Sequence, residues 1–391
     1  MAGSVENRGK GKWRLSVNLG LGADGKYIRK RKTVTAKNKT EAKQLLTAFE
    51  HEINEGEYIE PTKVTFGAFV DDWRKLHASK HFSSMTYESY NYILNAHILP
   101  VFANKQLEDF QPIHIKRYLS MLESDLGLSS ATIYKHYAIL RSIFNYACDE
   151  LRILKTNPVA HVTKPKVKNK KSDVYTDTEV DQLFSLLDNE LIHYALMVKL
   201  AIMGGFRRGE ILGMLWENIN FDNNTIYVEY SLTYTKNKGY EMKTPKNGET
   251  RTVVMPQYLM NELKEYHHKW KKERLQSAEL WNSKYGDFVF STSELNEKGI
   301  LTFGKPFYPG SVSRWWNRFL NRTDFKKIPF HSLRHTAATL LINQGEHPKN
   351  ISARLGHSGI KITMDLYSHA LQEADKNSAD KLEKRFGKSN A

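Results

Sequence analysis

Cysteine is nearly absent. Cys148 stands alone among 391 residues, which excludes an internal disulfide framework and any zinc site built on cysteine. Long apolar runs are absent too. No segment approaches about 18 uninterrupted apolar residues, and the opening MAGSVENRGKGKWRL lacks the apolar core of a signal peptide, so a soluble cytoplasmic protein is expected. Acidic residues are the minority, 43 against 58 Lys and Arg, leaving a net charge of +15. That imbalance favours a polyanionic partner, nucleic acid ahead of an anionic membrane surface. Apolar side chains are plentiful at 40% of the chain, enough for real cores in two or three domains. There is no internal repeat and no low-complexity tract.

The shortage of acids is sharpest in residues 1–40, where 11 Lys and Arg face only Glu6 and Asp24. The segment KWRLSVNLGLGADGKYIRKRKTV reads as two strands around an Ala-Asp-Gly turn. TEAKQLLTAFEHEINEG, residues 40–56, reads as a helix with Thr40 as N-cap and Gly56 as stop. A strand pair with one helix over residues 1–60 suggests a small sheet laid on DNA through Arg14, Arg29, Lys30, Arg31 and Lys32. Residues 63–160 change character. Four segments with apolar i, i+3, i+4 spacing predict a helical bundle. Its third and fourth helices interleave Lys116, Arg117, Lys135 and Arg141 with Tyr118, Tyr134, His136 and Tyr137, a mixture suited to phosphate contacts. Residues 161–174 read as a cationic linker. Its TKPKVKNKK stretch, with Lys164, Lys166 and Lys168, could follow a phosphate backbone. Residues 175–391 are mostly helical, with one β insert over 224–256. The expected fold is therefore multidomain and mostly α: a small N-terminal sheet with a helix, a helical bundle, and a larger helical domain with a β insert.

Four short elements of the last domain carry polar groups that a plain core would not need. In MGGFRRGEILGM, Arg207 follows a Gly-Gly-Phe break and Glu210 lies one helical turn later, spaced to hold the guanidinium or cap local backbone. In TPKNGETRTV, Lys246 sits just before an Asn-Gly turn. In IPFHSLRHTAATLL, His331 and Arg334 are one turn apart at the start of an apolar helix, with His335 beside them. Each is costly to desolvate unless paired. A zinc pair is disfavoured, because the HEXXH pattern needs a glutamate where Ser332 stands. In ARLGHSGIKITMDLYSHA, Gly356 should end a helix, which leaves His357 on the turn and Tyr367 ten residues further on.

In that order, Arg207, Lys246, His331, Arg334, His357 and Tyr367 resemble the signature of the tyrosine recombinases, the phage-integrase type of site-specific recombinase, and FRRGE, HSLRH, LGHS and MDLYSH are close to the form of that family's motifs. Glu210 matches the acidic position that follows the first arginine. The resemblance runs along the whole chain. It implies an arm-type DNA-binding domain at 1–60, a core-site-binding domain at 63–160 and a catalytic domain with a C-terminal tail at 175–391. It implies Tyr367 as nucleophile, the two arginines and His357 on the scissile phosphate, His331 as base and Lys246 as acid, with Lys243 a competing choice for the last role. It further implies a covalent 3′-phosphotyrosine, no metal or other cofactor, and four protomers on two DNA duplexes with core-type and arm-type sites. A DNA-bending host factor and a directionality factor are expected as accessories, and integration and excision of a phage or other mobile element as the outcome. His335, near the apolar stripe, is expected to be structural. The competing functions are a type IB topoisomerase, a DNA-binding regulator and a metal-dependent nuclease.

Overall fold

The computed structural model describes residues 3–21, 27–55, 58, 63–167, 173–244, 250–282, 284, 286–296, 298–356, 359–360, 363–364, 379, 382–383 and 385. They fall into two compact units, Met1–Asn169 and Lys170–Ala391. Among the described residues no helix is long and apolar enough to cross a membrane.

The first unit opens with an antiparallel sheet in the order β1 (Gly3–Asn7), β2 (Lys12–Leu21), β3 (Tyr27–Thr35). Three strands are present where the sequence suggested two. The first was missed because GSVEN is too short and too polar to show alternation. The helix α1 (Lys39–Asn54) covers one face, and its N-cap is Asn38 rather than Thr40, because the Asn38 carboxamide accepts from the Glu41 N–H at 2.9 Å. Leu15 and Val17 pack with Leu46 and Phe49 of α1. Register then sorts the charges. Leu15 pairs with Lys32 and Val17 with Lys30, whereas Ser16 pairs with Arg31 and Asn18 with Arg29. Directly opposed residues share a face, so Lys30 and Lys32 stand on the helix side. Lys32 reaches Glu52 at 3.0 Å and lies over the Phe49 ring. Arg14, Arg29 and Arg31 line the open face with Ser4, Ser16 and Asn18.

The bundle follows the predicted periodicity. Its helices begin at α2 (Phe66–Trp73), α3 (Ser84–Ile93), α4 (Pro112–Ser124) and α5 (Ser130–Asn145), and α2, α3 and α5 each run on through a π-helical turn. Thr65, Ser83 and Ser129 cap three of them by accepting backbone N–H groups, and Pro112 starts the fourth. The core centres on Phe66, Trp73, Phe102 and Phe144. Of the interleaved basic and aromatic set, Tyr118, His136 and Tyr137 are buried in that core and so cannot contact phosphate. The Tyr118 hydroxyl lies 2.8 Å from His136 Nδ1. Lys116, Arg117, Lys135 and Arg141 are exposed, and Lys164 lies over the Tyr134 ring at 5.0 Å. Lys168 lies outside the described residues.

In the second unit, α6 (Asp177–Leu187) and α7 (Ile192–Met203) lead to a short helix, α8 (Arg208–Leu212). The helix α7 is apolar nearly all round and is buried accordingly. Its one central charge, Lys199, is paired with Glu262 at 2.8 Å. The β insert forms as expected. The strands β4 (Ile219–Asn220), β5 (Thr225–Val228) and β8 (Arg251–Val254) make one sheet, and β6 (Ser231–Thr235) pairs with β7 (Gly239–Lys243). After α9 (Gln257–Ser277), a second hairpin of β9 (Ser291–Leu295) and β10 (Leu301–Pro306) corrects the reading of a single β insert. Then follow α10 (Pro309–Arg322), α11 (Ser332–Asn343) and α12 (Pro348–Leu355).

Candidate active site

The Gly-Gly-Phe break has a steric origin. Gly205 adopts φ +63°, and a Cβ there would lie 2.0 Å from Leu355 Cδ2 on α12. Only glycine permits both the left-handed backbone and that approach. The chain then turns so that Arg207 becomes the N-cap residue of α8. Glu210, three residues on, accepts from the Arg207 backbone N–H at 2.9 Å and from its Nη1 at 2.6 Å. The other terminal nitrogen of Arg207, Nη2, donates to the Gly356 carbonyl at 2.7 Å. Gly356 is in the left-handed conformation, φ +64°, and ends α12 as expected.

Arg334 comes from the first turn of α11. It is 3% exposed, and its Nη1 donates to the Gly205 carbonyl at 2.7 Å. Among the described residues its Nη2 is buried with no hydrogen-bond partner. Burial foremost, and the neighbouring Arg207 charge next, lower its pKa to about 9, with Glu210 acting the other way. It is still charged at neutral pH. Arg207 and Arg334 are thus brought together by the loop at 205–207. One is held by Glu210 and Gly356, the other by Gly205.

His331 sits at the N-cap position of α11 with its ring partly open to solvent. Desolvation and then the charges of His335, Arg334, Arg207 and Arg208 push its pKa down to about 4. The imidazole is neutral at pH 7 and free to accept a proton. His335 stands edge-on to it, with ring centroids 5.2 Å apart, and is itself lowered by burial and by Arg334.

Two arginines of this cluster were missed in the sequence. Arg251, the first residue of β8, clasps Glu210 with Nη1 at 3.2 Å and Nη2 at 2.7 Å, and its Nε donates to the Arg354 carbonyl at 2.8 Å. Arg208 bonds the Ser313 hydroxyl of α10. The available signal for Arg251 was a lone cation opening an apolar strand, RTVV. Burial opposes ionisation of Glu210, but hydrogen bonds and charge from Arg251 and then Arg207 outweigh it, so its carboxyl stays below the usual range. Lys246, His357 and Tyr367 lie outside the described residues. Lys243, the alternative to Lys246, ends β7 and pairs with Glu241 at 3.3 Å.

A charged, partly unsatisfied guanidinium next to a second one suits an oxyanion with two non-bridging oxygens. Comparison with known proteins agrees. The phage integrase family profile matches residues 173–374, over half the chain, and a profile for the phage integrase N-terminal SAM-like domain matches residues 65–122. A tyrosine recombinase XerC-like protein of Caldanaerobacter subterraneus is 28% identical, with 97% of each chain covered. The ICEBs1 integrase of Bacillus subtilis is 26% identical over 97% of this chain and 99% of its own length. In fold, the chain is similar to the Tn1549 transposon integrase in complex with transposon right-end DNA, with a TM-score of 0.61 at 19% identity, covering 82% of this chain and 98% of that one. It is likewise similar to a lambda integrase dimer bound to a core site, with a TM-score of 0.55 at 17% identity over 93% and 94%. With the motifs in order and the family profile matched, the chain belongs to the phage integrase family and is a tyrosine recombinase, a site-specific recombinase that breaks and rejoins DNA strands.

Proposed function

We propose that this recombinase integrates and excises a mobile element through a covalent 3′-phosphotyrosine, with Arg207, Lys246, His331, Arg334, His357 and Tyr367 as its reacting set. The phenol oxygen of Tyr367 attacks the scissile phosphorus while its proton passes to His331. The bond from phosphorus to the 5′ oxygen breaks, and Lys246 protonates that leaving oxygen. Arg207, Arg334 and His357 hold the two non-bridging oxygens as their charge grows. A free 5′-hydroxyl of a partner strand then reverses the attack and reseals the DNA. The phosphotyrosyl bond keeps the energy of the broken linkage, so no nucleotide cofactor is needed. The cationic side chains give the charge stabilisation that a metal ion would otherwise supply.

The observation that carries this reading is the buried Arg334 Nη2, a charged donor beside Arg207 that has no partner among the described residues. Such a group is costly to bury, and a phosphate oxygen would satisfy it. His331 is neutral at pH 7, the state in which the ring can take the proton that a phenol of free pKa about 10 must lose. The chain division at 1–60, 63–160, 161–174 and 175–391 belongs to the same reading, with Arg14, Arg29 and Arg31 on the open sheet face meeting arm-type DNA and the helical bundle meeting core-type DNA. So do the homotetramer on two duplexes, a tail reaching a neighbouring protomer, the host bending and directionality factors, and action on DNA in the bacterial cytoplasm. The lambda integrase has been seen as a tetramer bound to a Holliday junction.

The test is covalent capture on a nicked suicide substrate. Tyr367→Phe should bind DNA as the parent protein does and capture none. Undiminished capture would assign the nucleophile elsewhere.

A further inference from the structure

Glu210 poses an electrostatic problem that Arg251 resolves. A buried carboxylate bonded to Arg207 through both backbone and side chain would cancel the charge that Arg207 needs for phosphate. The two oxygens of Glu210 are shared, however. Arg251 takes one at 2.7 Å and the other at 3.2 Å, and its own side chain is only 9% exposed. With Arg334 in reach of the same field, three guanidiniums face one carboxylate. Among the described residues the charge around Glu210 is therefore net positive, which suits a phosphodiester that gains negative charge under attack. Arg251 also holds backbone. Its Nε binds the Arg354 carbonyl, and a Cβ on Gly356 would lie 2.8 Å from its Nη1. The next residue but one after Arg354 is the one whose carbonyl Arg207 grips. In the chain, Arg251 lies five residues after Lys246 and opens β8.

We propose that Arg251 is a positioning residue for strand cleavage: it neutralises Glu210 so that Arg207 keeps a full uncancelled charge for the scissile phosphate, and it clamps the end of α12 against that arginine. This rests on the reading of Arg207 as a phosphate-binding group. The effect of Arg251 passes through Glu210 and the 354–356 backbone.

The test is single-turnover cleavage of a suicide substrate beside DNA affinity, for the full-length chain. Arg251→Met should slow cleavage by about ten- to a hundredfold, less than loss of a direct donor, while affinity stays within about twofold. Adding Glu210→Gln removes the uncompensated carboxylate and should restore cleavage at least about fivefold over Arg251→Met alone, a coupling expected only of groups acting on one another. Arg207→Met is the control for the underlying reading. If it cleaves like the parent, the phosphate-site assignment itself fails. If it is crippled while Arg251→Met cleaves normally, or if the double variant is no faster than Arg251→Met, the proposal is overturned and the phosphate site stands. Should Arg251→Met not fold, Arg251→Lys takes its place. An ammonium cannot span both Glu210 oxygens and the Arg354 carbonyl, so cleavage should drop at least about threefold with affinity kept, and unchanged cleavage would overturn the proposal.

Discussion

Arg334 offers a test in which activity and stability should move apart. Its guanidinium is held charged although burial and Arg207 lower its pKa from the ordinary arginine value to about 9. A shift of that size corresponds to a cost on the order of 5 kcal/mol for keeping the charge in the folded protein. Arg334→Met removes this cost with a side chain of similar length. Against it stands the lost bond to the Gly205 carbonyl, which leaves a buried acceptor unmatched at about 1–3 kcal/mol. The two terms favour the variant or nearly cancel. Without DNA, Arg334→Met should therefore melt at or above the temperature of the parent protein. Cleavage should nevertheless collapse, because one charged donor to the transition state contributes about 3–4 kcal/mol, a factor of about 10²–10³. Calorimetry without DNA and suicide-substrate capture, run on the same preparations, read both quantities. A variant melting far below the parent would show that the guanidinium is structural, and cleavage within tenfold of the parent would place it away from the phosphate.

Gly205→Ala should destabilise the second unit by about 2–4 kcal/mol, combining left-handed strain with a clash against fully buried Leu355; an unchanged melting temperature would refute that account. On the open sheet face, Arg31→Ala should weaken arm-site binding by about 1–3 kcal/mol in titrations at fixed salt, whereas Lys32→Ala should cost binding little, because Lys32 is on the helix side with Glu52. Equal losses would contradict the assigned faces. His136 is fully buried, and burial followed by the His97 charge lowers its pKa to about 4 from 6.5. An unfolded chain binds its proton first, so this contribution is intact above pH 6.5 and is lost as pH falls through 4, to a limit of about 3 kcal/mol. Urea unfolding between pH 7 and 4 should show a steeper loss for the parent protein than for His136→Phe, and parallel curves would refute the assignment.

The bundle was legible because its helices repeat apolar residues at the period of an α-helix, as in FGAFVDDW, and because Thr65, Ser83 and Ser129 stand where caps belong. The stop at Gly356 was legible for the same local reason. What escaped depended on partners distant in sequence. STSEL and LTFGKP have weak patterns on their own and become strands only by pairing with each other. The run Arg29, Lys30, Arg31, Lys32 reads as one basic cluster until register sends its members to opposite faces. Arg251 gains its meaning from Glu210, forty-one residues earlier, and composition holds no trace of that meeting. Arg207, Glu210, His331 and Arg334 could be named from motif order, but not the Arg334 nitrogen that lacks a partner among the described residues, which depends on which carbonyl its fork happens to reach.

The bond from Arg207 to the Gly356 carbonyl joins positions 149 apart in the chain. Closing so long a loop has an entropic cost that no local structure offsets beforehand. A nascent polypeptide still on the ribosome therefore holds its first arginine without the turn that orients it, and Tyr367, the proposed nucleophile, is made later still. Synthesis order thus delays assembly of this arginine cluster until residue 356 has been made.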